Sequence, residues 1–596
     1  MLQLWRHRLS VSSCLHCYKS FTRRLSVTEW RCAVKASYLH YPGDEPLSPL
    51  TTGQLVEKAA EQWGDREALV SVHEGVRFNF EQAKQQGDRL AAGLIGMGLK
   101  PGDRVAIWGP NTSQWYLTFV AAARAGFIIV NINPAYQTSE LHYCLAKVGV
   151  KALIAPETFK TQKYHEMVMK IAPELQTCAP GQLRSENVPD LTSLIVISDN
   201  KLPGAYRFRD VMDSATPEQL TYIQQLQSEI NADDGTNLQF TSGTTGQPKA
   251  TLLSHHNTVN NVLLFGKRLQ LFLKEHRICL QVPLFHVFGN VLGLLSAFSY
   301  GATIVLPSAS FNAKESLKAI QQERCTIVYG TPTMFVDMLT KAGESNYDTS
   351  SLEMAVAAGA PIFEELVKQL RKKLKLKKFY IGYGMTETSP LSFASLSTDP
   401  IDKVGTTVGY IMEHVEAKVV DDKGKSVPFG TPGELWIRGY LTMLGYWNDD
   451  KKTEETIGRD KWLKTGDQFI LQENGYGKIV GRIKDMIIRG GENIFPKEIE
   501  EFLEKHPDIL EAQVIGVPDY RMGEEVCACL RLVEGSKLTT EQVKEYCKGK
   551  ISHFKIPRYI HFLTNFPKTV SGKIQKFQLQ KIIIEKEKLS AENRPK

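Results

Sequence analysis

The sequence predicts an α/β protein: a large N-terminal domain of layered parallel sheets with helices, a small antiparallel β subdomain, and a smaller α+β C-terminal domain. Three observations carry this. At 596 residues the chain is longer than one hydrophobic core organises, so two or more domains are expected. From residue 68 to 155 short apolar runs alternate with stretches of helical period, the signature of parallel sheet covered by helices. Beyond Gly405 the pattern changes to short strands separated by turns, and past residue 489 an independent periodicity begins.

In chain order, 42–49 reads as a polar linker and 51–63 as a helix on Leu55, Ala59 and Ala60. Strands at 68–72, 104–108, 128–132 and 152–155 alternate with helices at 80–97, 113–125 and 139–148. The stretch 171–190 lacks periodicity and reads as a loop, followed by a strand at 194–198 and a helix at 217–228. Buried strands at 326–329, 354–357 and 379–382 each run into a turn rich in Gly, Pro or Thr, and strand ends in open parallel sheets are where ligands bind. The antiparallel strands are expected at 417–421, 433–439 and 469–472. In the last domain Pro496 suits the first turn of a helix, strands follow at 512–517 and 526–532, and a helix at 540–551; 585–596 reads as a frayed tail.

Charge is concentrated at the N-terminal end. Residues 1–41 hold seven Lys or Arg against Glu29 alone, so they carry +6 of the formal +7, and the near-neutral remainder offers no footprint for nucleic acid. Rich in Arg and Ser, with Leu2, Trp5 and Leu9 on one helical face, this end reads as a mitochondrial transit peptide, with Arg23-Arg24-Leu25 a candidate cleavage region and the matrix the destination. Seven of the ten cysteines lie downstream without paired spacing, which suits a reducing compartment. The uncharged run 278–313 is interrupted by Pro283, His286, Gly289 and Asn290, so it reads as protein core beside an apolar pocket, with no transmembrane segment.

One loop organises the rest. The stretch Thr241-Ser242-Gly243-Thr244-Thr245-Gly246-Gln247-Pro248-Lys249 follows the strand-like 237–240 and precedes a helix start at Ser254. Its glycines expose backbone N–H groups, its hydroxyls add donors and Lys249 adds charge, which together suit phosphate. The Walker spacing is absent, because Gly243 and Gly246 are too close and Gln247-Pro248 intervene.

With Tyr383-Gly-Met-Thr-Glu387, Thr465-Gly-Asp467, Gly481-Arg-Ile-Lys-Asp485 and Pro567-Lys-Thr-Val-Ser-Gly-Lys573 following in order, the chain resembles the adenylate-forming superfamily of acyl-CoA synthetases, luciferases and peptide-synthetase adenylation domains. The resemblance runs from about residue 51 to 577, and 481–496, 524–529 and 547–557 look closest to its mitochondrial medium-chain ligases. It implies a transit peptide at 1–41, an AMP- and acyl-binding domain at 42–483, and a mobile C-terminal domain at 484–596. It also implies ATP, CoA and a fatty acid as substrates and Mg²⁺ as cofactor; oligomeric state stays unread. A luciferase-like oxygenase and a carrier-loading adenylation enzyme remain alternatives, although no carrier segment follows residue 573.

The resemblance assigns roles residue by residue. Glu387 is the expected Mg²⁺ ligand and Thr386 a hydroxyl that donates a hydrogen bond to phosphate; Tyr383 lies against adenine opposite Gly359, Ala360 and Pro361, and Asp467 with Arg482 meets the ribose diol. Lys573 bridges carboxylate and α-phosphate in the first step, Lys484 is the hinge, and Gly490 and Gly491 line the pantetheine tunnel. His286 gates the acyl pocket, which is walled by Val287, Tyr329, Gly330 and Gly359 with no charge to select an amino acid. Ala250 departs from the family's usual glycine; if that position needs φ > 0 or a methyl-free approach, ATP binding weakens.

Overall fold

The computed structural model describes residues 35–241, 248–360, 362, 364–489, 492–519, 522–551, 553–569, 572–587 and 589. Two large sheets, two five-stranded ones and a two-stranded ribbon, Thr158–Phe159 with Gln162–Lys163, organise these residues. An eight-stranded sheet is parallel from Ala205–Arg207 through Ser193–Ile197, Ala152–Pro156, Arg104–Trp108 and Ile128–Ile132 to Gly235–Thr241, then antiparallel through Lys249–Ser254 and Gly445–Tyr446. A nine-stranded sheet places Met354–Ala358 between Ile327–Gly330 and Lys378–Gly384, all parallel, so three strand ends face one locus.

The helices form where apolar spacing and caps coincide. Phe80–Gly96 starts from an Asn79 capping box with Gln82 and buries Ala83, Leu90, Ala91 and Leu94. Ser113–Ala125 is buried on nearly all sides and ends at Gly126, left-handed at φ 67°. It packs between Phe80–Gly96 and the strands Arg104–Trp108 and Ile128–Ile132, and Arg124 inside it is neutralised by Asp88 at 2.7 Å. The uncharged run forms the short helix Val287–Gly289, a π-helical segment Asn290–Leu295, the helix Ser296–Tyr300 and, after Gly301, the strand Thr303–Leu306. Among the described residues no helix is long and apolar enough to cross a membrane.

The antiparallel subdomain is a five-stranded sheet ordered Tyr38–Tyr41, Val415–Val420, Gly433–Gly439, Leu463–Leu471, Gly477–Arg482. Its first strand corrects the leader boundary at residue 41. Tyr38–Tyr41 pairs with Val415–Val420, and the Tyr38 hydroxyl donates to Glu416 Oε2 at 2.7 Å, so the folded chain begins before residue 42. Four residues beside a basic leader carry too little periodicity to betray a strand. The C-terminal sheet joins Glu492–Ile494, Ile487–Arg489, Gly523–Leu532, Ile509–Asp519 and Tyr559–Phe562, with helices Pro496–Leu503, Thr540–Cys547 and Lys576–Glu587. That last helix corrects the expected fraying from residue 585: Leu579 and Ile583 are buried against the sheet and hold it to Glu587. Cys527 and Cys529 are core residues of this sheet.

Candidate active site

The strand Gly235–Thr241 delivers the phosphate-loop signature, and Thr241 Oγ1 is buried without a hydrogen-bond partner among the described residues. Residues 242–247 lie outside the described residues, as do Pro361, Gly490 and Gly491. Lys249 opens the return strand, and Ala250 follows as ordinary strand paired with Phe240, 1% exposed. Its backbone is not left-handed, so the departure from glycine introduces no φ strain.

Across from this return strand, Thr386 and Glu387 sit in a buried 3₁₀ turn, Thr386–Thr388, at the end of Lys378–Gly384. A residue the sequence reading missed joins the two elements. The Tyr446 hydroxyl accepts from Lys249 Nζ at 2.6 Å and donates to Glu387 Oε1 at 2.8 Å, while Lys249 Nζ stands 3.6 Å from the same carboxylate oxygen and 4.3 Å from the Tyr446 ring centroid. Burial pushes the Lys249 pKa down and Glu387 pulls it back up. Tyr446 reaches this place because Gly445–Tyr446 pairs with Lys249–Ser254, a contact spanning nearly 200 residues that no local pattern announces.

Asp467 is 1% exposed and sits opposite Arg482 in an antiparallel pair. Arg482 Nε approaches Asp467 Oδ1 at 2.6 Å, but off the hydrogen-bonding direction, and that oxygen completes no hydrogen bond. Oδ2 accepts from the Tyr383 hydroxyl at 2.6 Å. Burial raises the Asp467 pKa and the Arg482 cation opposes the rise. A buried carboxylate oxygen without a donor is what a diol would satisfy.

Lys573 enters the same cleft from the C-terminal domain. Thr569 and Lys573 close a turn in which Thr569 N–H donates to the Lys573 carbonyl at 2.7 Å. Gly572, at φ 81°, packs so closely that an added Cβ would lie 2.9 Å from Thr331 Oγ1 and 3.0 Å from Thr333 Oγ1, and its carbonyl accepts from Thr333 at 3.2 Å. Only glycine satisfies both demands. The Lys573 side chain then runs past Gly359, also left-handed at φ 87°, whose Cβ would stand 3.5 Å from Lys573 Cε. Burial and the Arg482 cation push the Lys573 pKa down, while Glu387 and Asp467 pull it up, so the ammonium shares one field with both carboxylates.

His286 caps the helix Val287–Gly289. Its Nδ1 accepts from Phe288 N–H at 3.2 Å, which puts the proton of the neutral ring on Nε2. Burial, then the Lys573 charge, lowers its pKa to about 3. Val287 and Tyr329 are buried nearby, Tyr329 stacked on Phe288 at 5.6 Å. Gly330 is close-packed, since a Cβ there would meet Gln281 Nε2 at 2.8 Å. Lys484 lies exposed in the 3₁₀ turn Ile483–Asp485 that links the domains.

The structure therefore gathers Lys249, Glu387, Asp467, Arg482, Tyr383, Gly359 and Lys573 around one cleft with His286 at its side. The family profile described as AMP-binding enzyme matches residues 56–447, and that of the AMP-binding enzyme C-terminal domain matches residues 498–573. This chain belongs to the AMP-binding enzyme family. It is 48% identical over 549 residues to the Mus musculus protein named Medium-chain acyl-CoA ligase ACSF2, mitochondrial, covering 91% of this chain and 89% of that one. The Danio rerio protein of the same name is 47% identical over 546 residues, covering 91% and 90%. Among solved structures, an anthranilate CoA ligase, AuaEII, in complex with anthranoyl-AMP superposes with a TM-score of 0.79 at 26% identity, covering 92% of this chain and 99% of that one. ATP-bound MatB from Rhodopseudomonas palustris shares the fold, at TM-score 0.77 and 24% identity over 89% and 99%.

Among the described residues no three His, Cys, Asp or Glu side chains cluster as a metal cage. One buried carboxylate, Glu387, beside Lys249 and the Tyr446 hydroxyl is a donor set of the kind that suits Mg²⁺, an ion that keeps several waters and needs few protein ligands. The residues present fit that ion.

Proposed function

We propose that this chain is an ATP-dependent medium-chain fatty acyl-CoA ligase of mitochondria, acting in the matrix, which converts fatty acid, ATP and CoA to acyl-CoA, AMP and diphosphate through an acyl-adenylate. The observation that carries the reading is the entry of the Lys573 side chain beside Gly359 into the cleft that holds Glu387, Asp467 and Arg482, in a chain about 48% identical to named medium-chain ligases.

A carboxylate does not condense with a thiol in water without a better leaving group, and ATP supplies one. The carboxylate oxygen attacks the α-phosphorus in line and diphosphate departs with the bond electrons. Two anions approach one another, so cations must be held ready at the point of attack. Lys573 takes that part, bridging the carboxylate and α-phosphate oxygens. Lys249 and the phosphate-loop residues, with Thr386, hold the departing phosphates. Glu387 would hold the Mg²⁺, which supplies charge neutralisation at the phosphates when bound. Asp467 Oδ1 accepts from the ribose hydroxyls, and Tyr383 with Gly359, Ala360 and Pro361 frames the adenine.

In the second step the thiolate of CoA attacks the adenylate carbonyl and AMP leaves. Lys573 and its turn occupy the side from which pantetheine would come, so rotation about Lys484 exchanges that turn for Gly490 and Gly491. His286 is neutral in the working pH range and, in this scheme, would stand between the acyl group beside Val287 and Tyr329 and the route of the thiol. The deciding experiment is an ATP-dependent CoA-ester assay across acids from C4 to C18. Turnover peaking at medium chain lengths is expected; absence of CoA-ester formation with any of them would end this reading.

A further inference from the structure

The turn that carries His286 is held by side-chain amides that the reaction scheme leaves unused. Asn290 is wholly buried in an uncharged, apolar stretch, where an amide is costly unless its bonds are all made. Its Nδ2 donates to the Leu284 carbonyl at 2.8 Å, and its backbone N–H donates to the His286 carbonyl at 3.0 Å. Leu284 N–H in turn donates to Asn111 Oδ1 at 2.8 Å, and Asn111 Nδ2 donates to the Val282 carbonyl at 3.0 Å. The turn is therefore gripped on both sides of Leu284, two residues before His286.

The amide chain does not stop there. Asn290 Oδ1 accepts from Asn237 Nδ2 at 3.0 Å, and Asn237 Oδ1 accepts from Asn131 Nδ2 at 2.8 Å and Gln239 Nε2 at 2.9 Å. Asn237 and Gln239 lie on Gly235–Thr241, the strand that ends in the phosphate loop. Asn290 is also the residue at which Val287–Gly289 gives way to the π-helical segment Asn290–Leu295, and such irregular turns persist where side-chain bonds over-determine them.

We infer that Asn290, tied to Asn237, is a positioning residue that sets His286 in register with the nucleotide strand, so that the acyl and thiol side of the site is built on the same frame as the ATP side. The inference rests on the proposed role of His286. At the far end of the chain Asn131 Oδ1 completes no hydrogen bond among the described residues, but Asn237 and Asn290 use both their amide oxygens and their amide nitrogens, and buried amides bonded in this way hold one geometry, so that loss of one releases the other. Asn290 touches no reacting atom. Its effect passes through the His286 turn.

The test measures two half-reactions in the full-length enzyme: fatty-acid-dependent diphosphate exchange, and thioester formation from preformed acyl-adenylate. Asn290→Ser removes the bonds to Leu284 and Asn237 without adding bulk. It should lower the thioester step about tenfold with a raised KM for CoA while the KM for ATP stays within about twofold, and Asn237→Ser, which cuts the same chain at its other end and serves if Asn290→Ser does not fold, should do likewise; these magnitudes follow from losing one or two buried hydrogen bonds at about 1.4 kcal/mol per tenfold. In a His286→Ala background Asn290→Ser should change the thioester step no further. A wild-type thioester rate in the folded variants, or a tenfold loss that persists in the His286→Ala background, would overturn the inference alone. An unimpaired His286→Ala enzyme would overturn both the role of His286 and the inference, and absence of CoA-ester formation by the unmutated enzyme would overturn the proposed function.

Discussion

Tyr446→Phe tests how the cationic side of the site is organised. In the structure one hydroxyl serves two charged groups, accepting from Lys249 at 2.6 Å and donating to Glu387 at 2.8 Å. Hydrogen bonds to charged groups contribute roughly 1.5–3 kcal/mol each, so removing both would cost about 3–6 kcal/mol if nothing relaxed. Lys249 can relax, because its ammonium already stands 3.6 Å from Glu387 Oε1 and the hydroxyl is bonded to both. Direct pairing recovers about one bond, which leaves a net loss of about 2 kcal/mol, or roughly 30-fold in kcat/KM for ATP. The same collapse sets Lys249 against Mg²⁺ for the carboxylate, so the concentration of Mg²⁺ needed for half-maximal rate should rise. Diphosphate exchange measured against ATP and against Mg²⁺ reads both quantities. A kcat/KM for ATP within twofold of the unmutated enzyme, with unchanged Mg²⁺ dependence, would refute the reasoning.

Three further outcomes follow from the same geometry. Gly572→Val forces a side chain into a left-handed backbone and against Thr331 and Thr333, so it should slow adenylation at least tenfold with little change in the melting temperature of the large domain, measured by exchange assay and calorimetry. Ala250→Gly should lower stability by about 1 kcal/mol in urea without improving the KM for ATP, because the position is buried strand and needs no positive φ. His286 has a folded pKa lowered to about 3 against about 6.5 unfolded, so between those values the unfolded chain binds a proton that the native ring refuses, and stability falls as pH falls; urea titrations of the native protein should show up to about 1.4 kcal/mol per pH unit more loss than His286→Gln in that window.

Much of this architecture was legible because it is written in short-range pattern. Arg104–Trp108, Ser113–Ala125 and Ile128–Ile132 each have Gly, Asn or Thr within two residues of both ends, Gly433–Gly439 begins and ends in glycine, and the observed limits coincide with those read from period and caps. What stayed hidden depends on partners far along the chain. Tyr38–Tyr41 becomes a strand only because Val415–Val420 offers an edge, and Tyr446 matters only because its strand lies beside Lys249–Ser254. The amides Asn111, Asn237 and Asn290 each read locally as ordinary polar residues, and nothing in their spacing says that Asn237 meets Asn290 or that Asn290 and Asn111 hold the two sides of Leu284. Within the site, Glu387, Asp467 and Lys573 were found through ordered motifs, whereas the hydroxyl that links Glu387 to Lys249 required the fold.

The central claim is that one lysine from the C-terminal domain makes the acid reactive and then has no part in the transfer to thiol. Lys573→Ala, assayed in both half-reactions, addresses it directly. Loss of a preorganised cation at the point of attack should cut acyl-adenylate formation by at least about 10²–10³, while thioester formation from supplied acyl-adenylate stays within about threefold of the unmutated rate. Equal losses in the two steps, or none in the first, would contradict it.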